Sequence, residues 1–336
     1  MHAIHVTRHG GPEVLEHVEI DDPTPGPGQL LVRVGAAGIN FIDTYLRAGR
    51  YPSQPPYVPG SEGAGVVVGV GSDVDTDRVG TRVAWCEAPG SYAELVTVPA
   101  ARAVPVPESV DDPTAASVLL QGLTAHYLLD GSAHPTGPTD GNAGDAILVH
   151  AGAGGVGLVL TQLAAARGIR VITTVSTDAK AELSRSAGAE TVLRYGPDIA
   201  EQVRDLTGGA GVRVTYDGVG ADTFEQSLAA TATRGTVVLF GAASGPVPPF
   251  DLQRLNGLGS LSVTRPTLAD FIREPREFIW RTREIMDAVA SGALTIRVDH
   301  RYRLTEAARA HTDLEARRTA GSLVLEPASA AGRDQK

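Results

Sequence analysis

Three glycines near the middle of the chain, Gly152, Gly154 and Gly157, have the spacing G-x-G-x-x-G. They follow an apolar run at 146–149 that is typical of a strand buried on both faces. Apolar residues then recur at helical spacing, namely Val156, Val159, Leu160, Leu163 and Ala164. In such a unit the glycines allow a tight turn, the close approach of a pyrophosphate and helix–strand packing. The motif predicts a dinucleotide site at a helix N-terminus, and a glycine-rich loop without a ligand is the alternative.

The second strand predicted in this region, 170–175, has no acidic residue at its tip. An acid there, about 20 residues beyond the glycines, would hold the ribose hydroxyls of NAD. Ser176 and Thr177 come first instead, Asp178 is placed near the next helix N-terminus, and Lys180 lies one turn into that helix. Lys180 is either a solvated helix charge or a contact for a phosphate on the ribose, and the missing acid favours the phosphate.

A second group of polar residues follows the strand predicted at 30–34. Asn40, Asp43 and Tyr45 lie close together in sequence, and Tyr51 comes shortly after them. A phenol held at hydrogen-bond distance is a fair proton donor. A half-buried ring with its hydroxyl at the rim is an equally good interpretation of Tyr51. Sequence spacing alone therefore assigns Tyr51 no role.

Candidate metal ligands are sparse in this chain. The one cysteine, Cys86, excludes a disulfide within the chain and a cysteine-rich zinc site. We interpret it as a buried small apolar residue rather than a nucleophile. His126 and His150 are expected to be ordinary, partly buried histidines. The sequence predicts no metal.

The composition indicates an acidic chain long enough for about two domains. It has 336 residues, 42% of them hydrophobic, and a formal net charge of −10. Nucleic acid and anionic membranes are therefore poor partners, because both need a basic face. The first residues do not resemble a signal peptide, and no apolar run approaches the ~18–20 residues of a membrane span. We expect a cytoplasmic protein without membrane contacts.

Two patterns of elements must position these residues. Residues 1–120 contain short apolar segments separated by Gly/Pro turns, which predict a small barrel-like β fold. The predicted strands are 3–6, 30–34, 63–70, 82–85 and 92–98. A helix at 113–129 is predicted to be the hinge between two domains, and 130–144 a surface loop.

From residue 145 onward, strands and helices alternate, which predicts a doubly wound parallel sheet. The predicted strands are 146–150, 170–175, 191–194, 213–217, 236–240 and 260–264. The helices between them are 156–167, 178–187, 198–207 and 221–232. A helical stretch at 268–291, interrupted near Pro275, precedes a strand at 296–302, a helix at 305–317 and a last strand at 322–325. The tail at 328–336 is expected to be disordered.

Motifs along almost the whole chain resemble those of the medium-chain dehydrogenase/reductase superfamily. The chain is most similar to its zinc-free NADPH:quinone oxidoreductases, the zeta-crystallin group. The matching stretches are GINFIDTY at 38–45, GSEGAG at 60–65, GSYAE at 90–94, the glycine motif, TVST at 174–177, YD at 216–217, FG at 240–241, VTRP at 263–266 and RTAGS at 318–322. The chain departs from this group at Gly218, where relatives carry serine, at Gln121, where they carry lysine, and in its longer 130–144 loop.

The resemblance implies an α/β protein with a GroES-like, β-rich catalytic domain and a Rossmann cofactor domain. The catalytic domain would comprise 1–124 with 267–336, and the cofactor domain 125–266. The active site would lie in the cleft between them. An apolar strand at 258–263 would form a sheet edge. The family pairs such edges across a homodimer, and an open edge is an aggregation liability.

The same resemblance implies NADPH as cofactor, with Ser176, Lys180 and Tyr195 around its 2′-phosphate. Asn40 and Tyr45 would approach the nicotinamide. Thr124 and Gln121 would line the same cleft, and Tyr51 would be the proton donor found in related enoyl reductases. The remaining cofactor-lining residues that it implies are Gly152, Ala153, Gly154, Gly155, Val156, Gly157, Phe240, Gly241, Val263, Thr264, Arg265 and Arg318.

Three functions remain open from the sequence. The first is reduction of a quinone by NADPH without zinc, since Asn40 stands in the region where zinc-dependent relatives carry cysteine and Ser61 replaces the histidine before Glu62. The second is reduction of the carbon–carbon double bond of an enone or enoyl thioester. The third is a non-catalytic NADPH-binding protein. The partner is expected to be a quinone or another electron-poor small molecule.

Overall fold

The computed structural model describes residues 1–133 and 146–327. The chain divides into two compact units: Met1–Leu120 with Thr282–Lys336, called unit 1, and Gln121–Arg281, called unit 2. The domain boundaries predicted from sequence lie at 124/125 and 266/267. The predicted loop from residue 134 onward and the predicted tail lie outside the described residues. Within the described residues, no helix is long and apolar enough to cross a membrane.

The strands of the described residues are numbered in chain order. They are β1 (His2–Val6), β2 (Leu15–Glu19), β3 (Gln29–Ile39), β4 (Glu62–Val70), β5 (Arg82–Cys86), β6 (Leu95–Pro99), β7 (Val104–Pro105), β8 (Ala146–Val149), β9 (Arg170–Val175), β10 (Thr191–Arg194), β11 (Val212–Asp217), β12 (Thr231–Leu239), β13 (Ser262–Thr264), β14 (Val298–Arg303) and β15 (Ser322–Glu326).

The helices are numbered in the same way. They are α1 (Phe41–Arg47), α2 (Asp112–Ala115), α3 (Leu119–Tyr127), α4 (Gly155–Ala166), α5 (Asp178–Ser186), α6 (Ile199–Leu206), α7 (Phe224–Ala230), α8 (Arg254–Gly257), α9 (Leu268–Phe271), α10 (Pro275–Ala290) and α11 (Ala307–Glu315). Short 3₁₀ turns occupy Pro12–Val14, Thr76–Arg78, Ala100–Arg102 and Leu304–Glu306, and a π-helical turn occupies Leu128–Ser132.

Unit 2 contains a six-stranded parallel sheet with the order β10-β9-β8-β11-β12-β13. The strand order reverses between β8 and β11, so the carboxyl ends of these strands flank the switch point where α/β sheets bind ligands. All four residues of β8 are buried, as expected for a strand covered on both faces. The doubly wound parallel sheet predicted from the alternating pattern is confirmed.

Unit 1 is built around β3, which pairs with β15, β4 and β6. Six strands of its seven-stranded sheet have the order β14-β15-β3-β4-β5-β7, and the seventh, β6, pairs with β3 beside this path. Strands β1 and β2 form a separate antiparallel pair. Trp85 and Tyr92 are fully buried in its core. Because β15 returns to pair with β3, the C-terminal segment folds into the β-rich unit of the N-terminal segment, and the prediction of a β-rich fold for 1–120 is confirmed.

Two predicted strands of unit 1 have different bounds in the structure. The strand predicted at 30–34 extends to Ile39, and its pairing with β4 shifts register between Leu31/Val32 and Val34/Ala36. The strand predicted at 92–98 begins only at Leu95, because the backbone N–H of Tyr92 bonds to the Pro59 carbonyl outside the sheet. The longer β3 places Asn40 directly at a strand end.

Unit 2 also differs from its prediction at two places. The helix predicted at 221–232 is shorter and β12 begins at Thr231, because Arg234 adopts a φ of 60° and its N–H bonds to the Gly259 carbonyl. Residues Thr231–Leu239 therefore form one strand that contains this irregularity, although the sequence of its first half does not predict a strand. The helical stretch at 268–291 divides into α9 and α10, and Pro275 occupies the first position of α10, where no N–H is needed.

Candidate active site

The glycine motif forms the turn between β8 and α4 in unit 2. A Cβ on Gly152 would lie 2.5 Å from Thr173 Cβ, and one on Gly157 would lie 2.3 Å from the Ala151 carbonyl oxygen. A Cβ on Gly154 would meet nothing nearer than the Ala151 oxygen at 3.3 Å. Packing thus requires the first and third glycines, whereas the second leaves an open approach to the backbone.

The first turn of α4 is available to an anion. Its N-cap is Gly154, which has no side chain to cap the N–H groups of that turn. These groups and the helix dipole favour a phosphate at this position. The free backbone N–H groups of this turn therefore fit the pyrophosphate of a dinucleotide.

Gln121 packs on the same turn. A Cβ on Gly155 would lie 1.9 Å from Gln121 Oε1, so a side chain at position 155 would displace this amide. Gln121 and Thr124 are both buried on α3. The structure therefore places Gln121 beside the glycine turn and buries Thr124 one turn further along the same helix.

Tyr195 is joined to the glycine turn by a direct hydrogen bond. The backbone N–H of Ala151 donates to the Tyr195 hydroxyl at 2.9 Å, and the Tyr195 ring stacks on His150 with centroids 6.3 Å apart. His150 is fully buried, its Nδ1 lies 2.8 Å from Thr174 Oγ1, and burial lowers its pKa. A neutral His150 thus packs against the Tyr195 ring, whose hydroxyl accepts the Ala151 N–H of the glycine turn.

The strand beside the tip of β9 carries a residue that sequence analysis missed. Arg194, at the end of β10, donates to the backbone carbonyl of Ser176 and, at 2.7 Å, to Asp178 Oδ1. Thr177 caps α5 by accepting the Lys180 N–H at 3.2 Å. Because Arg194 is in register with Val175, these residues gather at one edge of the sheet. The signal available in the sequence was the position of Arg194 directly before Tyr195.

The second half of the sheet supplies the remaining predicted cofactor contacts of unit 2. A Cβ on Gly218 would lie 2.8 Å from the Phe240 ring, and one on Gly241 would lie 2.4 Å from the Gly218 carbonyl oxygen. A side chain at position 218 would therefore press against the Phe240 ring. Val263 and Thr264 lie in edge strand β13, and Arg265 donates to the Leu239 carbonyl at 2.8 Å.

In unit 1, Asn40 is fixed by two carboxyl groups. Its backbone N–H donates to Asp43 Oδ2 at 2.8 Å, and its side-chain amide donates to Glu62 Oε2 at 2.9 Å. Glu62 also accepts the Leu120 N–H at 2.7 Å. Burial raises the pKa of Glu62 to about 8. Sequence analysis gave Glu62 no role, because neither its burial nor its pairing can be seen in a motif.

The aromatic residues of unit 1 lie next to this group. Tyr45 is buried on α1, and its ring lies 6.2 Å from that of Phe41 and 5.3 Å from that of Tyr51. Tyr51 is half-buried and its N–H bonds to the Tyr45 carbonyl. The structure therefore brings together Tyr45 and Tyr51, and Asn40 caps the helix that carries Tyr45. Arg318, by contrast, is exposed and pairs with Asp313 at 3.0 Å.

Groups that could bind a metal are not assembled in the part of the chain that the structure describes. No three His, Cys, Asp or Glu residues are placed to hold a metal ion there. Cys86 is buried, and burial raises the pKa of its thiol. His126 is fully buried rather than partly buried, and its Nδ1 lies 2.7 Å from an Arg281 nitrogen.

Comparison with known proteins decides the family. Residues 26–108 match the alcohol dehydrogenase GroES-like domain, and residues 155–281 match the family described as zinc-binding dehydrogenase. A quinone oxidoreductase of Pseudomonas aeruginosa is 45% identical over 96% of this chain and 99% of its own length. The chain belongs to the quinone oxidoreductases of the medium-chain dehydrogenase/reductase superfamily. The GroES-like and Rossmann folds predicted from the resemblance are confirmed.

Two further relatives bear on the chemistry of this family. The structure of a mycobacterial protein complexed with NADPH is 55% identical, covers 97% of this chain and all of that one, and superimposes with a TM-score of 0.92. A 2-haloacrylate reductase of Burkholderia is 40% identical over 96% of this chain and 98% of its own length. The family therefore includes at least two named reductase activities on one scaffold.

Proposed function

We propose that this chain is an NADPH-dependent quinone reductase. The observation that carries the proposal is its 45% identity, over almost the whole of both chains, to a protein named quinone oxidoreductase. The NADPH complex of the 55% identical mycobacterial protein supports the cofactor. The open backbone at Gly154 and the uncapped first turn of α4 support the same assignment from this chain's own residues.

We assign the cofactor contacts as follows. The glycine turn binds the pyrophosphate, and Ser176, Lys180 and Tyr195 bind the 2′-phosphate. The chain has only two lysines, Lys180 and Lys336, although it is rich in arginine. A lysine kept at this place supports a specific contact over a general surface charge. Thr124, Phe240, Gly241, Val263, Thr264, Arg265 and Arg318 remain proposed cofactor-lining residues.

The reaction needs positioning more than acid catalysis. NADPH, when bound, supplies the hydride, and the protein supplies orientation and electrostatics. Asn40 can orient the nicotinamide because Glu62 fixes its side-chain amide and Asp43 its backbone. Tyr45 and Tyr51 stand next to it as contacts for the ring or the acceptor. We place this chemistry in a catalytic domain of 1–124 with 267–336 that acts with a cofactor domain of 125–266.

We propose that the reaction is independent of zinc. Asn40 and Ser61 offer an amide and a hydroxyl where zinc ligands would be required, and the carboxylate of Glu62 already accepts the Asn40 amide and the Leu120 N–H. These residues do not fit a zinc site. Elemental analysis of the purified protein, with activity measured in chelator, tests this: about one zinc per chain, lost together with activity, would contradict it.

The activity itself is tested by the loss of NADPH absorbance against a panel of quinones and enones. We expect turnover with quinones. The 40% identity to a 2-haloacrylate reductase favours carbon–carbon double-bond reduction as the second candidate. Turnover of enones alone would establish that candidate, and NADPH binding without any turnover would establish a non-catalytic protein.

We also propose a homodimer formed through the edge of the unit 2 sheet. Strand β13 is at the edge of that sheet, as the sequence predicts. Leu252, in the segment that precedes α8, is 69% exposed. An open edge of this kind is a site for pairing with a second chain. Light scattering at two protein concentrations should give twice the chain mass, and a strictly monomeric mass would contradict the proposal. A cytoplasmic location also remains a prediction.

A further inference from the structure

Unit 1 contains a cavity of about 190 Å³ beside α1. Its walls combine apolar groups with a few polar ones. They are Asp43, Leu46, Ser53, Tyr57, Val58, Pro59, Gly60, Ser61 and Pro89. Two of these residues, Leu46 and Ser53, are close in sequence to Tyr45 and Tyr51, the proposed acceptor contacts of this unit. A small apolar enclosure with a few fixed polar groups is the usual form of a ligand pocket.

A directed chain of hydrogen bonds leads to this cavity. Arg47, which can only donate, lies 3.0 Å from His311 Nδ1, so that nitrogen accepts. The proton of neutral His311 is therefore on Nε2, which lies 3.1 Å from the Tyr92 hydroxyl. Burial and Arg47 lower the pKa of His311 to about 3, in agreement with a neutral ring. Because His311 donates to Tyr92, the Tyr92 hydroxyl must give its own proton to Asp43, 3.2 Å away.

The end of this chain fixes where Asp43 can hold a proton. Its Oδ2 accepts from both the Tyr92 hydroxyl and the Asn40 N–H. A proton on the carboxyl must then reside on Oδ1, the oxygen that in the ionised form accepts the Ser61 hydroxyl proton at 3.4 Å at the cavity wall. Burial raises the pKa of Asp43 to about 7, so the neutral form is well populated near neutral pH. A neutral acid in an apolar site can donate a hydrogen bond.

The hydrogen bonds from Asn40, Tyr92 and Ser61 lower the pKa of Asp43, but they do not cancel the larger effect of burial, which raises it. Glu87 raises the pKa of Asp43, and Asp43 in turn raises the pKa values of Glu62 and Tyr57. The cation on this side is Arg47, whose Nη2 pairs with Glu315 at 2.9 Å. Ser53 donates to the Leu46 carbonyl at 2.8 Å. The buried Tyr57 hydroxyl forms no hydrogen bond of good geometry in the part of the chain described.

We propose that this cavity binds the carbonyl group of a small neutral acceptor, with Asp43 in its neutral form and Ser61 donating hydrogen bonds to the carbonyl oxygen. Tyr57 supplies a third hydroxyl at the same wall. The identity of the acceptor rests on the proposed quinone reductase function, whereas the carbonyl subsite rests on the cavity and the direction of its hydrogen bonds. Ionisation of Asp43 replaces a donor by an anion, which repels a carbonyl oxygen.

Equilibrium binding of acetophenone without NADPH tests the subsite directly. Ligand-observed NMR should show an affinity that falls at least about tenfold between about pH 6 and pH 9, as the donor is lost. Asp43→Asn is the decisive variant. Its amide oxygen can accept from Tyr92 and Asn40 while its NH₂ group faces Ser61, so affinity should become independent of pH. A wild-type affinity that does not change with pH would overturn the proposal.

Two further variants separate Asp43 from its neighbours. Glu62→Gln removes the other buried carboxyl with a raised pKa, and the pH dependence should persist; its disappearance in this variant would assign the effect to Glu62 and overturn the proposal. Ser61→Ala should weaken binding several-fold while keeping the pH dependence. The same pH dependence should appear in kcat/KM for 1,4-benzoquinone. Absence of any quinone turnover together with pH-dependent acetophenone binding would refute the proposed function and leave the subsite standing.

Discussion

Each unit buries one aspartate at a site of interest, and the two are held differently. Asp217, at the end of β11, accepts four hydrogen bonds between 2.7 and 2.9 Å, from the N–H groups of Val219 and Gly220 and the hydroxyls of Thr223 and Ser227. Asp43 accepts from Asn40, Tyr92 and Ser61 at 2.8, 3.2 and 3.4 Å. Asp43 also lines a cavity.

The difference lies in where the donors come from. Every donor to Asp217 lies within ten residues along the chain, so this carboxylate organises its own loop and the start of α7. Tyr92 is 49 residues away from Asp43 and reaches it only through the fold of unit 1. A carboxylate saturated by local donors has a structural role. A carboxyl group such as Asp43, which has fewer and longer hydrogen bonds and lies beside a cavity, can still bind a proton or a ligand.

Removal of Asp217 should give the largest effect. Asp217→Ala leaves two N–H groups and two hydroxyls without their acceptor, and we expect unit 2 to lose on the order of 3–5 kcal/mol of unfolding free energy. Urea unfolding followed by far-UV circular dichroism measures this loss. Asp205→Ala, an exposed carboxylate of α6, should change stability little. Equal losses of unfolding free energy in Asp217→Ala and Asp205→Ala would show that the hydrogen bonds to Asp217 have no special structural role.

The pH dependence of unit 1 should be the next largest effect. The folded pKa values of Asp43 and Glu62, about 7 and about 8, exceed their ordinary values of 3.8 and 4.5. Folded unit 1 therefore binds these protons more tightly than the unfolded chain. The stabilisation that these two carboxyl groups contribute is complete below about pH 4 and is lost as pH rises through about pH 8, by an amount of several kcal/mol.

Fluorescence of Trp85 in a Trp280→Phe background measures this loss, because Trp85 is buried in unit 1. Asp43→Asn combined with Glu62→Gln should flatten the slope. The exposed Glu16→Gln variant should keep it. A stability of unit 1 that rises between about pH 5 and pH 8 would show that neither carboxyl holds its proton in the folded state.

The comparison also explains what the sequence can and cannot predict. The Rossmann strands and the glycine turn follow from local periodicity and from glycines whose neighbours leave no space for a Cβ. Arg194 was missed because its contact with Ser176 joins two strands that meet only in the sheet. Asp43 is visible in the sequence, but its proton position depends on Tyr92 and His311, which come from distant segments. The bulge at Arg234 likewise depends on Gly259.

A variant of Lys180 should change cofactor binding by unit 2 without changing its stability. Lys180→Ala should weaken NADPH binding by on the order of 1–3 kcal/mol and leave NADH binding and stability nearly unchanged. Cofactor titration and urea unfolding measure the two effects. Arg185→Ala, an exposed cation on the same helix, is the matched control and should affect neither cofactor. Equal weakening of both cofactors would mean that Lys180 acts through folding, as Asp217 does.

Tyr51→Phe should have the smallest effect of these variants on quinone reduction. It tests whether unit 1 needs a proton donor in addition to Asp43. Hydride transfer to a quinone leaves charge on a conjugated oxygen that water can protonate later. The loss of quinone turnover should therefore stay below about tenfold. An enone leaves a more basic enolate, for which a positioned acid contributes ~10²–10⁴-fold.

Steady-state kinetics with both acceptor types, together with an NADPH titration, separates these cases. Tyr302→Phe, which removes a hydroxyl bonded to Asp313 elsewhere in unit 1, controls for any general effect of losing a phenol. A quinone turnover reduced by orders of magnitude with NADPH binding intact would show that the reaction needs an acid at Tyr51. In that case the hydrogen bond from Asp43 to the carbonyl oxygen would not be sufficient for the reaction. Asp43 would then bind the acceptor, and Tyr51 would donate the proton.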